Sequence, residues 1–191
     1  MIFKTTDGGT TWSTIYTDDV SFLDFYFTSS LIGTATAYDD ESSKCIWRTT
    51  DGGLTWKNIF NERNYYMNSV WFIDENTGWT AGYYDDAGLG KQPAILNTTD
   101  GGLTWKSVYR RIDIARGGEA LNDIRFRNEN EGYAISHFAY DVYTTDGGAT
   151  WNRIHDIDNL GLSPLYGIYK LLAGYSNIYL VGKFGNVAIW K

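Results

Sequence analysis

The chain has 191 residues and carries 16 Lys and Arg against 23 Asp and Glu, for a formal net charge of −7. Such a length suits one domain with a core of its own, and the acidic balance argues against a nucleic-acid partner, because neutralising a phosphate backbone takes a clustered excess of Lys and Arg. Aromatic residues make up 17% of the chain, Gly 21 stands against Pro 2, and no apolar run approaches the roughly 18 residues of a membrane span, so the expectation is an all-β protein of many short strands with no membrane insertion.

The first segment, Ile2-Phe3-Lys4, is short and strand-like, with no apolar stretch of the kind a signal peptide needs. It leads at once into Thr5-Thr6-Asp7-Gly8-Gly9-Thr10-Thr11-Trp12, and nearly the same phrase returns at Thr49 to Trp56, Thr98 to Trp105 and Thr144 to Trp151. The aspartates Asp7, Asp51, Asp100 and Asp146 stand 44, 49 and 46 residues apart, a period found in propellers and some helical solenoids.

The segments between the phrases alternate apolar and polar residues, which favours strands over helices. In the first interval Phe22 to Phe27 predicts a first strand, Thr34 to Tyr38 a second of small and aromatic residues, and Cys45 to Arg48 a third. After the phrase, a fourth begins at Trp56. The second interval repeats this with Ser69 to Ile73, a polar turn over Asp74 to Gly78, Trp79 to Tyr83, and Ala94 to Asn97. The third runs Asp123 to Phe126, Asn128 to Gly132, Tyr133 to His137, and Val142 to Tyr143. The last offers Tyr166 to Leu171, Ile178 to Gly182 and Val187 to Lys191. Four antiparallel strands per period make one blade of a β-propeller.

The repeated phrase has its own physics. Asp followed by Gly-Gly is a turn signal, since the glycines take positive φ without strain and the carboxylate accepts bonds from nearby amides. Trp12, Trp56, Trp105 and Trp151 would then lie back over their turns and bury on the order of 200 Å² each. The four aspartates therefore read as structural corners on one face that do not converge on a substrate. Cys45, the one cysteine, stands in an apolar stretch and reads as a small buried hydrophobe. No metal site or cofactor is expected; paired Asp residues suit a hard cation, but their spacing matches no EF-hand loop.

The eight-residue phrase resembles the Asp-box, or BNR repeat, of sialidases, some glycoside hydrolases and sortilin-type receptors. The longer unit from Val70-Trp71-Phe72-Ile73-Asp74 through Gly78-Trp79-Thr80-Ala81-Gly82 to Ile95-Leu96-Asn97 and the next phrase is similar to the repeat of the photosystem II stability/assembly-factor family. The resemblance covers essentially the whole chain. It implies one Asp-box propeller domain over residues 1–191, with periods of approximately 2–45, 46–94, 95–141 and 142–191. Both ends fall on a third-strand segment, which leaves three closures open: a small four-bladed ring, a fragment of a larger one, or a homodimer completing eight blades.

In propellers of this kind the functional loops lie opposite the Asp-boxes. Those loops carry Tyr38-Asp39-Asp40, Tyr84-Asp85-Asp86 and Tyr140-Asp141 between second and third strands, and Tyr65 and Arg110, Arg111 and Arg116 between blades. The candidate binding residues are therefore Tyr65, Tyr84, Asp85, Asp86, Arg110, Arg111 and Arg116, because Tyr and Arg make interface anchors. The expected partner is a protein segment or a glycan, and the expected function is a non-enzymatic binding or assembly scaffold. A sialidase-like or glycoside-hydrolase reading is the alternative: Asp86 with Asp141 or Glu62 would supply the carboxylate pair, but the Arg-Ile-Pro signature of sialidases is absent and the three arginines come from one loop. A second alternative is a purely structural module of a longer surface protein. Many relatives in this family work on the exported side of a membrane, and the compartment is left open.

Overall fold

The computed structural model describes residues 1–16, 20–38, 45–60, 62–111, 120–136, 140–154, 168–173, 178–182 and 187–190, with side chains up to residue 154. The described residues contain strands and turns and no helix. Strands β1 (Ile2–Lys4) and β2 (Ser13–Tyr16) form a two-stranded sheet. Three four-stranded sheets follow: β3 (Ser21–Phe27), β4 (Gly33–Tyr38), β5 (Ile46–Thr49) and β6 (Lys57–Phe60); β7 (Tyr65–Phe72), β8 (Gly78–Asp86), β9 (Gly90–Thr98) and β10 (Lys106–Arg110); β11 (Leu121–Phe126), β12 (Gly132–Ser136), β13 (Val142–Thr144) and β14 (Asn152–Arg153). A three-stranded sheet ends the series, β15 (Ile168–Ala173), β16 (Ile178–Gly182) and β17 (Val187–Trp190). Every sheet is antiparallel and runs in chain order. These are propeller blades. Among the described residues β1–β2 and β15–β17 remain separate sheets.

Successive blades pack face to face, so the second strand of each is covered on both sides. That is why β4 reads Gly-Thr-Ala-Thr-Ala and β12 Gly-Tyr-Ala-Ile-Ser, buried at every one of those positions: two sheets about 10 Å apart leave room for small side chains beside each large one. The core between the second and third four-stranded sheets stacks Trp79 on Phe126 with ring centroids 3.7 Å apart, surrounded by Ala81, Ile95, Leu121 and Ile124.

Each first strand carries a bulge at the same place, between Phe22 and Asp24, Met67 and Ser69, and Leu121 and Asp123. The residues after these bulges tie one blade to the next. Asp24 Oδ2 accepts the Val70 N–H at 3.1 Å and lies 2.8 Å from Ser69 Oγ, which in turn lies 2.7 Å from Asp123 Oδ1. Arg125 closes this belt, 2.7 Å from Asp123 Oδ1 and 3.9 Å from Asp24 Oδ2, with its guanidinium over the Trp71 ring. A second set of ties crosses the blades at the Asp-boxes: Lys4 Nζ donates to the Gly52 carbonyl and Arg48 Nε to the Gly101 carbonyl.

The boxes sit at one end of the blades, between third and fourth strands. In the third, Asp100 Oδ1 accepts the N–H groups of Leu103 and Thr104 and the Thr98 hydroxyl, while Oδ2 accepts the Thr104 hydroxyl at 2.6 Å. Gly101 and Gly102 have φ of 70° and 81°, which only glycine takes without strain, and the Gly101 N–H reaches the Asn76 carbonyl of the turn between β7 and β8. Thr11, Thr55 and Thr150 make the same hydroxyl bond to Asp7, Asp51 and Asp146. Those hydroxyls, then the amides of the same threonines, hold the three carboxyls down at about 2. At Asp100 burial is the largest single influence and pushes the other way; the bonds from Thr104, Thr98 and Leu103 together outweigh it and the carboxyl also falls to about 2. Trp56, Trp105 and Trp151 pack against their blades, with Trp56 donating its indole N–H to the Gly53 carbonyl, whereas Trp12, expected to bury in the same way, is 60% exposed.

Candidate functional site

The opposite end of the blades is dominated by the β7–β8–β9 sheet. The expected second strand there was Trp79 to Tyr83, with Tyr84-Asp85-Asp86 in a loop. Instead β8 continues to Asp86 and pairs in full with Gly90–Thr98 of β9. Asp86 makes this extension possible: its Oδ1 accepts the N–H groups of Gly88 and Leu89 at 2.9 and 3.0 Å, and Gly90 takes a φ of 76°, so a tight turn joins two long strands. Asp85 is likewise on the strand, opposite Lys91, and its N–H donates to the Asn64 carbonyl. Asn64 holds a positive φ of 70°, which Asn tolerates better than most residues, and this delivers the chain into β7.

Two rows of aromatic rings run along this extended hairpin, one on each face. Tyr65, expected in a loop between blades, is the first residue of β7 and is buried, in edge contact with Phe60 on one side and Tyr84 on the other. The Arg110 guanidinium lies over the Tyr84 ring at 4.4 Å. On the other face Tyr38 of the preceding blade stacks on Tyr66, Tyr66 stacks on Tyr83 at 4.8 Å and 10°, and Lys91 sits over Tyr83. Burial pushes the Tyr83 phenol up to about 12, and the nearby ionisable Tyr66, Asp85 and Tyr38 push the same way, so it keeps its proton at neutral pH. Next along this end, Tyr140 is sandwiched between the guanidinium groups of Arg111 and Arg153, at 4.7 and 4.6 Å.

Of the expected binding residues, Arg110 lies over Tyr84, which meets Tyr65, while Arg111 lies over Tyr140 and Arg116 lies outside the described residues. Tyr38, Tyr66, Tyr83, Tyr140, Lys91 and Arg153 were not singled out. Their signal was present for the cross-strand pairs alone: once the β7–β8 register is known, Tyr66 falls opposite Tyr83. The arginines add up to a local concentration of positive charge in an acidic protein. Guanidinium groups placed over aromatic rings are a chemistry suited to carboxylates.

Of the three carboxylates weighed for glycoside hydrolysis, Asp86 and Asp141 are engaged in structure, while Glu62 is exposed. Asp86 caps its turn, and Asp141, buried, accepts the Ser136 N–H at 2.8 Å. Among the described residues no group of three His, Cys, Asp or Glu side chains could hold a metal ion, and no helix is long and apolar enough to cross a membrane. Burial pushes the Cys45 thiol up to about 12.

A family model described as Photosynthesis system II assembly factor YCF48 matches residues 64–171, more than half of the chain. A solved structure of YCF48 bound to D1 peptide is 22% identical, with a TM-score of 0.56 over 90% of this chain and 51% of that one. YCF48 from Cyanidioschyzon merolae is 19% identical, with a TM-score of 0.53 over 91% and 53%. The GH74 xyloglucanase from Xanthomonas campestris superposes with a TM-score of 0.73 at 11% identity, over 98% of this chain and 33% of the enzyme. The chain thus spans about half the length of the YCF48 structures and about a third of the xyloglucanase. No curated protein matches it.

Proposed function

The chain belongs to the photosynthesis system II assembly factor YCF48 family, and from that premise we propose that it is a non-enzymatic propeller scaffold that captures a protein segment at the blade ends opposite the Asp-boxes. The observation that carries this reading is the pair of stacked guanidinium sites, Arg110 on Tyr84 and Arg111 with Arg153 on Tyr140. They present fixed positive charge between aromatic rings, which suits an extended segment bearing carboxylates. The YCF48 structure with a D1 peptide supports a peptide as the ligand class, and the commitment of Asp86 and Asp141 to backbone amides supports binding without turnover.

The test uses the D1 peptide and a set of acidic and neutral peptides of equal length, titrated into the protein at two salt concentrations. Acidic peptides are expected to bind more tightly, with affinity falling as salt rises. The Arg110→Ala, Arg111→Ala double variant should lose about tenfold or more in affinity while keeping its unfolding midpoint. Unchanged affinity in that variant would remove the site from this end of the molecule. Release of reducing sugar from xyloglucan by the parent protein would overturn the non-enzymatic reading.

A further inference from the structure

At the box end, the turns that leave the first strands of two neighbouring blades stand on either side of a pocket of about 460 Å³, within the roughly 300–1,000 Å³ of small-molecule sites. One wall is Ile73 and Asp74, where β7 turns into β8. The other is Arg127, Asn128 and Glu129, where β11 turns into β12. The same two turns hold the boxes, since the Asn76 and Asn130 carbonyls accept the Gly101 and Gly147 N–H groups. The pocket is therefore at the opposite end of the blades from the stacked guanidinium sites. Every residue that lines it lies in the three four-stranded sheets or in the turns within them.

The pocket is aromatic in depth and polar at its rim. Phe72 and Phe126, both buried, close its base. Tyr26 of the preceding blade meets half-buried Trp71 edge to face at 5.2 Å. Burial pushes the Tyr26 phenol up, so both rings are neutral at neutral pH, and the Trp71 indole N–H is buried without an acceptor. At the rim, Asp74, Arg127, Asn128 and Glu129 are exposed. Asp74 Oδ1 accepts the Thr77 and Asn76 N–H groups at 2.6 and 2.7 Å. Those amides, Thr77 first, hold its carboxyl below the usual range, so it is an anion that only accepts. Arg127, 3.4 Å from exposed Glu131, only donates.

We propose that this pocket binds a neutral saccharide of one or two rings, with a sugar face against Tyr26 and Trp71 and hydroxyls bonded to Asp74, Arg127 and Glu129. A hydroxyl both donates and accepts, so it uses a carboxylate and a guanidinium side by side, whereas a charged ligand gains from one sign and is opposed by the other. The C–H face of a pyranose ring covers aromatic surface while the hydroxyls at its edge stay with polar partners, the mixture that small-ligand pockets provide. Where the second and third four-stranded sheets carry Ile73-Asp74 and Arg127-Asn128, the first carries Thr28-Ser29. The facing acid and base thus belong to this junction and not to the repeat as such.

The probes are glucose, cellobiose and maltose, with glucosamine and glucuronate at mildly acidic pH as charged counterparts. Each is titrated into the whole chain up to about 50 mM, a range that covers millimolar affinity, and followed by the tryptophan indole N–H signals in NMR spectra, with Trp71 assigned through Trp71→Phe. At least one neutral sugar is expected to shift the Trp71 signal saturably. Arg127→Met, which should keep its unfolding midpoint, is expected to weaken that binding at least about tenfold, as the loss of a hydrogen bond to a charged group does. Glu129→Gln, which keeps the shape of the side chain, should weaken it several-fold. The Arg110→Ala, Arg111→Ala variant should bind the sugar as the parent does, which separates this site from the peptide-capture end. Binding that survives both Arg127→Met and Glu129→Gln, a stronger response to either charged sugar, or no saturable shift with any of the three neutral sugars would overturn the proposal.

Discussion

Replacing Arg125 by methionine isolates what the charged belt between the first strands contributes. The Arg125 side chain is 10% exposed and its partner Asp123 1% exposed, at 2.7 Å. Breaking a buried pair by removing one member costs about 3–5 kcal/mol, mostly because the remaining charge is left without compensation. Asp123 keeps the Ile124 N–H at 3.0 Å and the Ser69 hydroxyl, and methionine retains an apolar body beside Trp71, so the lower end, about 3 kcal/mol, is the expectation. The domain as a whole has about 5–15 kcal/mol to lose. Urea unfolding followed by tryptophan fluorescence reads the change as a shifted midpoint at unchanged slope. Removing Asp123 as well should cost less than the sum of the two single changes by more than about 1 kcal/mol, since the pair is coupled. Arg127→Met is the control: its contact with Glu131 is 3.4 Å long and exposed on both sides, and its loss should cost under about 1 kcal/mol. If Arg125→Met costs no more than Arg127→Met, or if the Arg125 and Asp123 changes add, the belt is not a coupled buried network.

Phe72→Ala should destabilise by about 3–5 kcal/mol as a core truncation, and Phe27→Ala by about half that or less, because Phe27 is already 44% exposed; equal costs would mean that the β3 face is covered in solution. The Asp-box carboxyls are depressed from 3.8 to about 2, so as the pH falls the unfolded chain takes up protons before the folded one. Stability from these groups is therefore full above about pH 4 and drains between about pH 4 and pH 2; unfolding midpoints that stay level across that window would contradict the bonding described at the boxes. The Cys45 thiol, buried and pushed up to about 12, should resist a thiol reagent at pH 8 in the folded protein and react fully once denaturant is added.

Much of the blade was legible before any coordinate, because its signals are local. Asp-Gly-Gly with flanking threonines specifies its own turn: all the bonds to Asp100 come from residues within four positions of it. The second strands announced themselves by small residues beside aromatics. The boundaries at the other end were missed for a physical reason. Tyr84-Asp85-Asp86 reads as a polar loop, yet Asp86 spends its carboxylate on the turn amides two and three residues on, which lets the strands run further than their hydrophobic pattern. Tyr65 had the same fate, since an aromatic residue beside Glu and Arg looks exposed until Phe60 and Tyr84 close over it.

By itself, then, the sequence determined the repeat, the all-β class, the corner turns and the end of the molecule on which they fall, because each depends on contacts within one turn or one hairpin. Tertiary structure alone decided which aromatic and cationic side chains meet. Tyr38 and Tyr66, Arg111 and Tyr140, and Asp24 and Arg125 belong to different strands and mostly to different blades, and a period of 44 to 49 residues does not say which positions of one blade face which of the next. It also decided that Phe27 and Phe72, alike in sequence context, differ in burial. That difference depends on what packs against each blade from outside it, which no residue within their own blade can specify.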